Sequence, residues 1–225
     1  MGKELALMNM AEKALEEVKG FKFIGLGSGY TVARFVEKLA KYAKNENATI
    51  EVIPSSLQIQ IIAEQNGLKV VQDPLLVEVN VDGADQVDEN KNMIKGYGGA
   101  LLKEKVLMHL AKKRIILIDD TKLVKNLEKP FPVEVIPFAR NLVKSLLEKM
   151  GAKAELRKDK KGYPFITENG NLIIYADFGK TEKPKELELK LKSLPGVVEV
   201  GLFTYPIHKL FVANLASNDI KLISL

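Results

Sequence analysis

The stretch that decides the fold is "FKFIGLGSGYTVARFVEKLAKYAK", residues 21–44. Its first part is apolar, strand-length and ends in glycines. The segment "YTVARFVEKLAKYAK" then puts Val32, Phe35, Val36 and Leu39 on one helical face. A buried strand turning tightly into an amphipathic helix is half of a βαβ unit, and its neighbours repeat the pattern. "TIEVIPSS" reads as a strand, "LQIQIIAEQNG" as a helix closed by Gly67, "LKVVQ" as a short strand and "LLVEVNVDGAD" as another. "GALLKEKVLMHLAKK", residues 99–113, reads as a helix and "RIILIDDTK" as a strand. This alternation predicts an α/β fold with a mostly parallel sheet covered by helices on both faces. In such sheets ligands collect beyond the carboxyl ends of strands, where "GSGYT", "DGAD" and "DDTK" all lie.

Composition narrows the function classes. With 46% hydrophobic and 28% charged residues over 225 positions, the chain is expected to fold as a soluble globular protein. Its apolar runs are strand-length, so no membrane association is expected. The N-terminal "MGKELALMNMAEKALEEVKG" suits an amphipathic helix and not a secretory signal. The absence of cysteine excludes disulfides, thiolate metal sites and cysteine nucleophiles, and a cytoplasmic location is expected. The net charge of +5 favours an anionic substrate. Lysines interleave with glutamates, as in "KPKELELKLKS", which argues against nucleic acid as a partner.

A change of composition at "NLEKPFPVEVIPF" marks a boundary. Beyond it the pattern reads strand (133–138), helix (139–150), strand (152–158), strand (164–167), an "NGN" turn, strand (172–178), helix (183–193) and strand (197–203). This is the order of a small α/β domain of split βαβ, ferredoxin-like type. Residues 129–205 are therefore expected to form a second domain, and residues 1–128 plus 206–225 the first.

The glycine loop "GLGSGYT" joins a strand to a helix, so backbone N–H groups and the helix's positive end would face an anion. It is not a dinucleotide fingerprint, because Tyr30 takes the place of the third glycine, and it lacks the Gly-Lys-Ser/Thr of a P-loop. A ligand-free tight turn and a cradle for a phosphate-bearing small molecule both remain open on these residues. The turn at Asp82 and Asp85 is equally open between a metal site, an acid/base site and a solvated turn. Carboxylates suit Mg²⁺, yet Lys95 and Lys122 in neighbouring loops already supply positive charge. His109 and His208 are read as structural.

Glu104 stands in an apolar helical sector with Leu101, Leu107, Met108 and Ala111. A carboxylate there is costly unless paired or used. It either complements the helix dipole or moves a proton.

Read together, "GLGSGYTVARFVEKL", "VDGADQVD", "MIKGYGGALLKEK", "DDTKLV", "FPVEVIPFA" and "TENGNLIIYADF" resemble the ribose-5-phosphate isomerase A family. The resemblance implies a Rossmann-like first domain. It implies an aldose–ketose isomerase of the non-oxidative pentose phosphate pathway, interconverting ribose 5-phosphate and ribulose 5-phosphate through an enediolate with no metal or other cofactor. A sugar phosphate would be the small-molecule partner, and the chain would form a homodimer or homotetramer. The family's substrate-binding loops fall on Ser28, Gly29, Tyr30 and Thr31, on Asp82, Gly83, Ala84 and Asp85, and on Lys95, Gly96, Tyr97 and Gly98. Lys122 would contact substrate. The proton-accepting role falls on Glu104, with Lys95 stabilising the oxyanion and Asp82 handling protons between oxygens. Departures from the family pattern are Gln86 after "DGAD", Tyr97 within the glycine run, and Tyr30 in the first loop. A lysine near the start of the family's chains has only Lys3 as a counterpart.

Overall fold

In the computed structural model, which describes residues 2–224, the chain forms two compact units. Residues 2–84, 103–123 and 205–224 make the first, and residues 85–102 and 124–204 the second. Residues 85–102, which the sequence reading kept in the first domain, pack with the second unit. Residues 1 and 225 of the expected first domain lie outside the described residues.

The first unit is built on a seven-stranded sheet. Its spatial order is Ile220–Ser224, Lys209–Ala213, Ala111–Asp119, Val77–Gly83, Phe23–Leu26, Glu51–Pro54, Lys69–Val70. Every pair is parallel except the edge pair Lys209–Ala213 with Ile220–Ser224. The C-terminal segment thus returns to this sheet as a hairpin. From Phe23–Leu26 the chain winds outward to Lys69–Val70, then restarts on the other side with Val77–Gly83. The order therefore reverses between Phe23–Leu26 and Val77–Gly83, the kind of position beyond whose carboxyl ends open α/β sheets take their ligands. The loop "GSGYT" and Asp82 stand at that reversal.

Pleating sends alternate residues to opposite faces. Ile24, Leu26, Val52, Val79 and Val81 pack with Leu7 and Met10 of helix Gly2–Glu16, Phe35 and Leu39 of helix Gly29–Asn45, and Ile59 of helix Leu57–Gln65. On the other face Ile53 packs with Leu107 and Ala111, below helix Leu101–Leu110. That helix ends three residues before the expected 113. Ala111 to Lys113 begin the strand Ala111–Asp119 instead, because pairing with Val77 and Val79 extends the parallel ladder to this point.

The second unit carries a four-stranded antiparallel sheet in the order Val197–Val200, Phe131–Val135, Leu172–Asp177, Lys153–Leu156. In chain order this is 4-1-3-2, the split βαβ arrangement. Helices Arg140–Lys149 and Pro184–Lys192 cover it through Val143, Leu147 and Leu191. The expected strand at 164–167 is reduced to two isolated bridges, Lys158 with Pro164 and Ile166 with Leu172. Pro164 has no N–H to extend a ladder. A three-stranded sheet of Leu202–Phe203, Met93–Ile94 and Gln86–Val87 was not foreseen.

The motif "FPVEVIPFA" has a structural task here. Glu134 is fully buried, and its Oε1 accepts hydrogen bonds from the Thr167 hydroxyl (2.9 Å), Asn169 Nδ2 (3.0 Å) and Asn171 Nδ2 (2.9 Å). One carboxylate oxygen thereby organises the whole "TENGN" turn. Glu134→Ala removes a charged acceptor and leaves three polar groups to find new partners. We expect it to cost about 2–3 kcal/mol of stability, read as a lowered urea midpoint, whereas a shift below about 0.5 kcal/mol would show the turn to be held by its backbone.

Candidate active site

Strand Phe23–Leu26 has glycine at position 25 and is followed by Gly27, so one face of it carries no side chain just where the sheet order reverses. The facing strand uses this space. A Cβ on Gly25 would meet Asn80 Oδ1 at 2.7 Å, and a Cβ on Gly27 would meet Asp82 Oδ1 at 1.7 Å. Asn80 and Asp82, two residues apart on Val77–Gly83, share that face and are both fully buried. The Gly83 N–H donates to Asp82 Oδ1 at 2.7 Å. Asn80 fills the lower notch with neither amide atom hydrogen-bonded among the described residues.

The next residue in the loop is Ser28, which stands at the N-terminus of helix Gly29–Asn45 but does not cap it. Its Oγ donates instead to Glu104 Oε1 at 2.5 Å. Glu104 is 2% exposed in the first turn of helix Leu101–Leu110. Consecutive residues of one loop thus touch the two carboxylates: Gly27 lies against Asp82 and Ser28 holds Glu104. Ser28 makes no side-chain cap and the first turn of helix Gly29–Asn45 carries no acid, so neither of these takes up its first N–H groups. Gly29, at φ +86°, supplies the left-handed turn that aims them. Thr31 lies partly buried in that first turn.

Lys122 closes the short 3₁₀ turn Asp120–Lys122 after strand Ala111–Asp119. Asp119, 3% exposed at the strand's end, accepts from the Thr121 hydroxyl and pairs with Lys3 Nζ at 3.5 Å. Burial alone would raise the Asp119 carboxyl, but the Thr121 hydroxyl, Lys122 and Lys3 outweigh it and hold the group below its usual range. Two lysines therefore flank one buried carboxylate, and Lys3 is one of them. Tyr30 is 51% exposed; its hydroxyl donates to Glu4, which also takes Arg34 at 3.3 Å.

In the second unit Asp85 donates its N–H to the Ile94 carbonyl at 2.8 Å. Ala84, which precedes it in the chain, is 5% exposed. Gln86, where the family pattern has an acid, uses Oε1 to accept from the N–H groups of Glu128 and Lys129, both at 3.0 Å. Lys95 is 2% exposed, with its N–H on the Gly201 carbonyl and its ammonium 5.4 Å from the centre of the Phe203 ring. Gly96 is in the left-handed region at φ +98°, and a Cβ there would meet Leu101 at 2.6 Å. Gly98 is exposed, and the Tyr97 hydroxyl is held by the Pro130 carbonyl.

The sequence reading missed Asp119 and Asn80. Asp119 was visible only as part of a polar strand end; its burial depends on the packing around it. His208 accepts the Arg114 N–H on Nδ1 at 3.0 Å, and burial, then Arg114 and Lys113, lower its pKa, as befits a structural histidine. No group of three or more His, Cys, Asp or Glu side chains that could hold a metal occurs among the described residues.

The family model of ribose 5-phosphate isomerase A (phosphoriboisomerase A) matches residues 51–216. A curated relative from Archaeoglobus fulgidus named ribose-5-phosphate isomerase A is 44% identical over 87% of this chain and 89% of its own. The solved ribose 5-phosphate isomerase A of Methanocaldococcus jannaschii superposes with a TM-score of 0.92 at 36% identity, covering 100% of both chains. Another solved D-ribose-5-phosphate isomerase, in complex with phospho-erythronic acid, gives 0.93 at 35% identity over 99% of each chain.

Gly27→Ala drives a methyl group into the Asp82 carboxylate and is expected to lower stability by about 1–3 kcal/mol. Thermal unfolding checks this, and an unchanged midpoint would mean that Asp82 moves aside freely. Asp119 also sets a pH dependence. Its folded-state pKa lies below the unfolded value, so its contribution is complete above about pH 4 and is lost as pH falls through the folded value. Asp119→Asn should therefore flatten the acid limb of the stability curve, measured as urea midpoints between about pH 5 and pH 2.

Proposed function

Because the chain belongs to the ribose 5-phosphate isomerase A family, we propose that it interconverts ribose 5-phosphate and ribulose 5-phosphate by moving a proton between C2 and C1 of the open-chain sugar. The observation that carries this reading is the burial of Glu104 against the Ser28 hydroxyl, at 2.5 Å, one residue along the loop from Gly27, which lies against Asp82. Aldose–ketose conversion needs a base beside the reacting carbons and groups that stabilise the oxygen as negative charge develops. Glu104 takes the proton from one carbon and returns it to the other through an enediolate. A buried carboxylate that accepts from the Ser28 hydroxyl suits this work, because burial limits the access of bulk water to the proton it moves.

Phosphate lies on the turn Ser28, Gly29, Tyr30 and Thr31, at a helix N-terminus that Ser28 does not cap. Lys122 adds charge there, and Lys3 joins it. The ion pair of Lys3 with Asp119 supports this assignment, since it keeps the flexible lysine near the "DDTK" loop. When an anion binds, Lys3 shares its charge between Asp119 and phosphate. Asp82 passes protons between sugar oxygens and assists ring opening. Asp85, with the adjoining Gly83 and Ala84 backbone, holds sugar hydroxyls. Lys95 and the N–H groups of Gly96 and Gly98 stabilise the oxyanion, while the Tyr97 N–H is held by Asp85. The two sets of residues are tied through the chain itself. Asp82 and Asp85 bracket one turn, and the "KGYGG" loop runs directly into the helix that carries Glu104.

This reading includes a homo-oligomer, a dimer or tetramer, working in the cytoplasm. Phe138, 99% exposed, with Leu142 and Ile136 in the same segment, supplies apolar surface for a second copy to cover. No described helix is long and apolar enough to cross a membrane.

Glu104→Gln keeps the shape of the side chain and removes its basicity. We expect kcat to fall by about 10²–10⁴ while ribose 5-phosphate still binds, measured by coupled assay and titration calorimetry. Turnover close to that of the unmodified protein would take the base role away from Glu104.

A further inference from the structure

Tyr97 interrupts a run of glycines, in a turn whose neighbours have every freedom to move. Gly96 and Gly99 sit at φ +98° and +90°, and the Gly99 N–H closes the turn on the Gly96 carbonyl at 2.9 Å. Only Tyr97 and Gly98 lie between them, so the phenol ring is the one side chain the turn possesses. Glycine segments lose more conformational freedom on ordering than any others. A single well-held side chain therefore decides how fixed this turn is.

The ring is well held. Its hydroxyl donates to the Pro130 carbonyl, and it meets Tyr175 edge-on, with centroids 5.3 Å apart and an interplanar angle of 70°. Burial first, then Asp85, Tyr175 and Asp177, push the phenol to about 12, so the hydroxyl is a donor at any physiological pH. The same residue's backbone N–H points the other way and donates to Asp85 Oδ2 at 3.3 Å. One residue thus joins the fixed chain at Pro130 to the carboxylate proposed to hold the sugar. Gly99 reinforces the arrangement, since a Cβ there would strike the Phe165 ring at 2.7 Å.

We infer that Tyr97 is a positioning residue: its ring anchors the glycine turn, and its N–H sets the orientation of the Asp85 carboxylate. It does this in place of touching the substrate with its side chain. The inference rests on the proposed roles of Asp85 and the "KGYGG" loop for its effect on turnover, but its effect on the turn does not need them.

Tyr97→Phe deletes only the hydroxyl, so the fold is preserved. Two measurements on the full chain test the inference. In amide hydrogen exchange without substrate, residues 96–99 should exchange about tenfold faster in Tyr97→Phe, the scale of one lost hydrogen bond. Unchanged exchange there overturns the anchoring role, whether or not the protein proves to be an isomerase. In steady-state assays with ribose 5-phosphate, Tyr97→Phe should lower kcat/KM about tenfold alone but less than about twofold in an Asp85→Asn background. An equal loss in both backgrounds overturns action through Asp85, because a general loosening of the fold would be additive. Failure of the unmodified protein to turn over ribose 5-phosphate would sink the proposed function, and the exchange measurement would still judge Tyr97.

Discussion

Two missing side chains, at Gly25 and Gly27, decide what the central sheet can carry. Neighbouring parallel strands normally fill a shared face with packed apolar groups. Here strand Phe23–Leu26 leaves that face bare from Gly25 onward, and Asn80 and Asp82 lie across it, with a Cβ at Gly27 only 1.7 Å from Asp82 Oδ1. A buried carboxylate at the carboxyl end of a strand is expensive unless polar groups receive it. The Gly83 N–H does so at 2.7 Å. The bare face also brings the loop backbone close enough for Ser28 to reach Glu104 in place of capping its own helix. The close seat of Asp82 thus depends on these glycines, at the point where the strand order reverses.

Much of this was legible in the sequence. The alternation of strands and helices up to Asp119 depends on local periodicity, and it emerged with small errors at element ends. Glu104 could be singled out because Leu101, Leu107 and Met108 surround it at helical spacing, and its 2% exposure follows from that placement. The family resemblance then tied the loops to one chemistry, and the relatives and solved structures carry the same family name.

Other parts were hidden for identifiable reasons. Strands of two residues, Gln86–Val87 and Met93–Ile94, are too short to show a period, and the expected strand 197–203 is split into Val197–Val200 and Leu202–Phe203. The end of helix Leu101–Leu110 has no glycine or proline to mark it, and Ala111 continues the apolar spacing, so only pairing with Val77 reveals the strand. Gly27 could be seen only as part of the glycine loop, and the side chain that a Cβ there would meet lies 55 positions away in the sequence. The "NGN" turn was legible, but not that its conformation is held by Glu134 from another strand. What escapes a linear reading is side chains meeting across the sheet.

The most direct test follows an isotope at the reacting carbon. Ribose 5-phosphate carrying deuterium at C2 is converted in ordinary water, and product and recovered substrate are followed by mass spectrometry over repeated turnovers. A carboxylate that accepts a proton and exchanges it with solvent predicts a primary isotope effect and progressive loss of deuterium to water. Undiminished loss of the label in a Glu104→Gln variant run beside the unmodified protein would contradict proton transfer by Glu104.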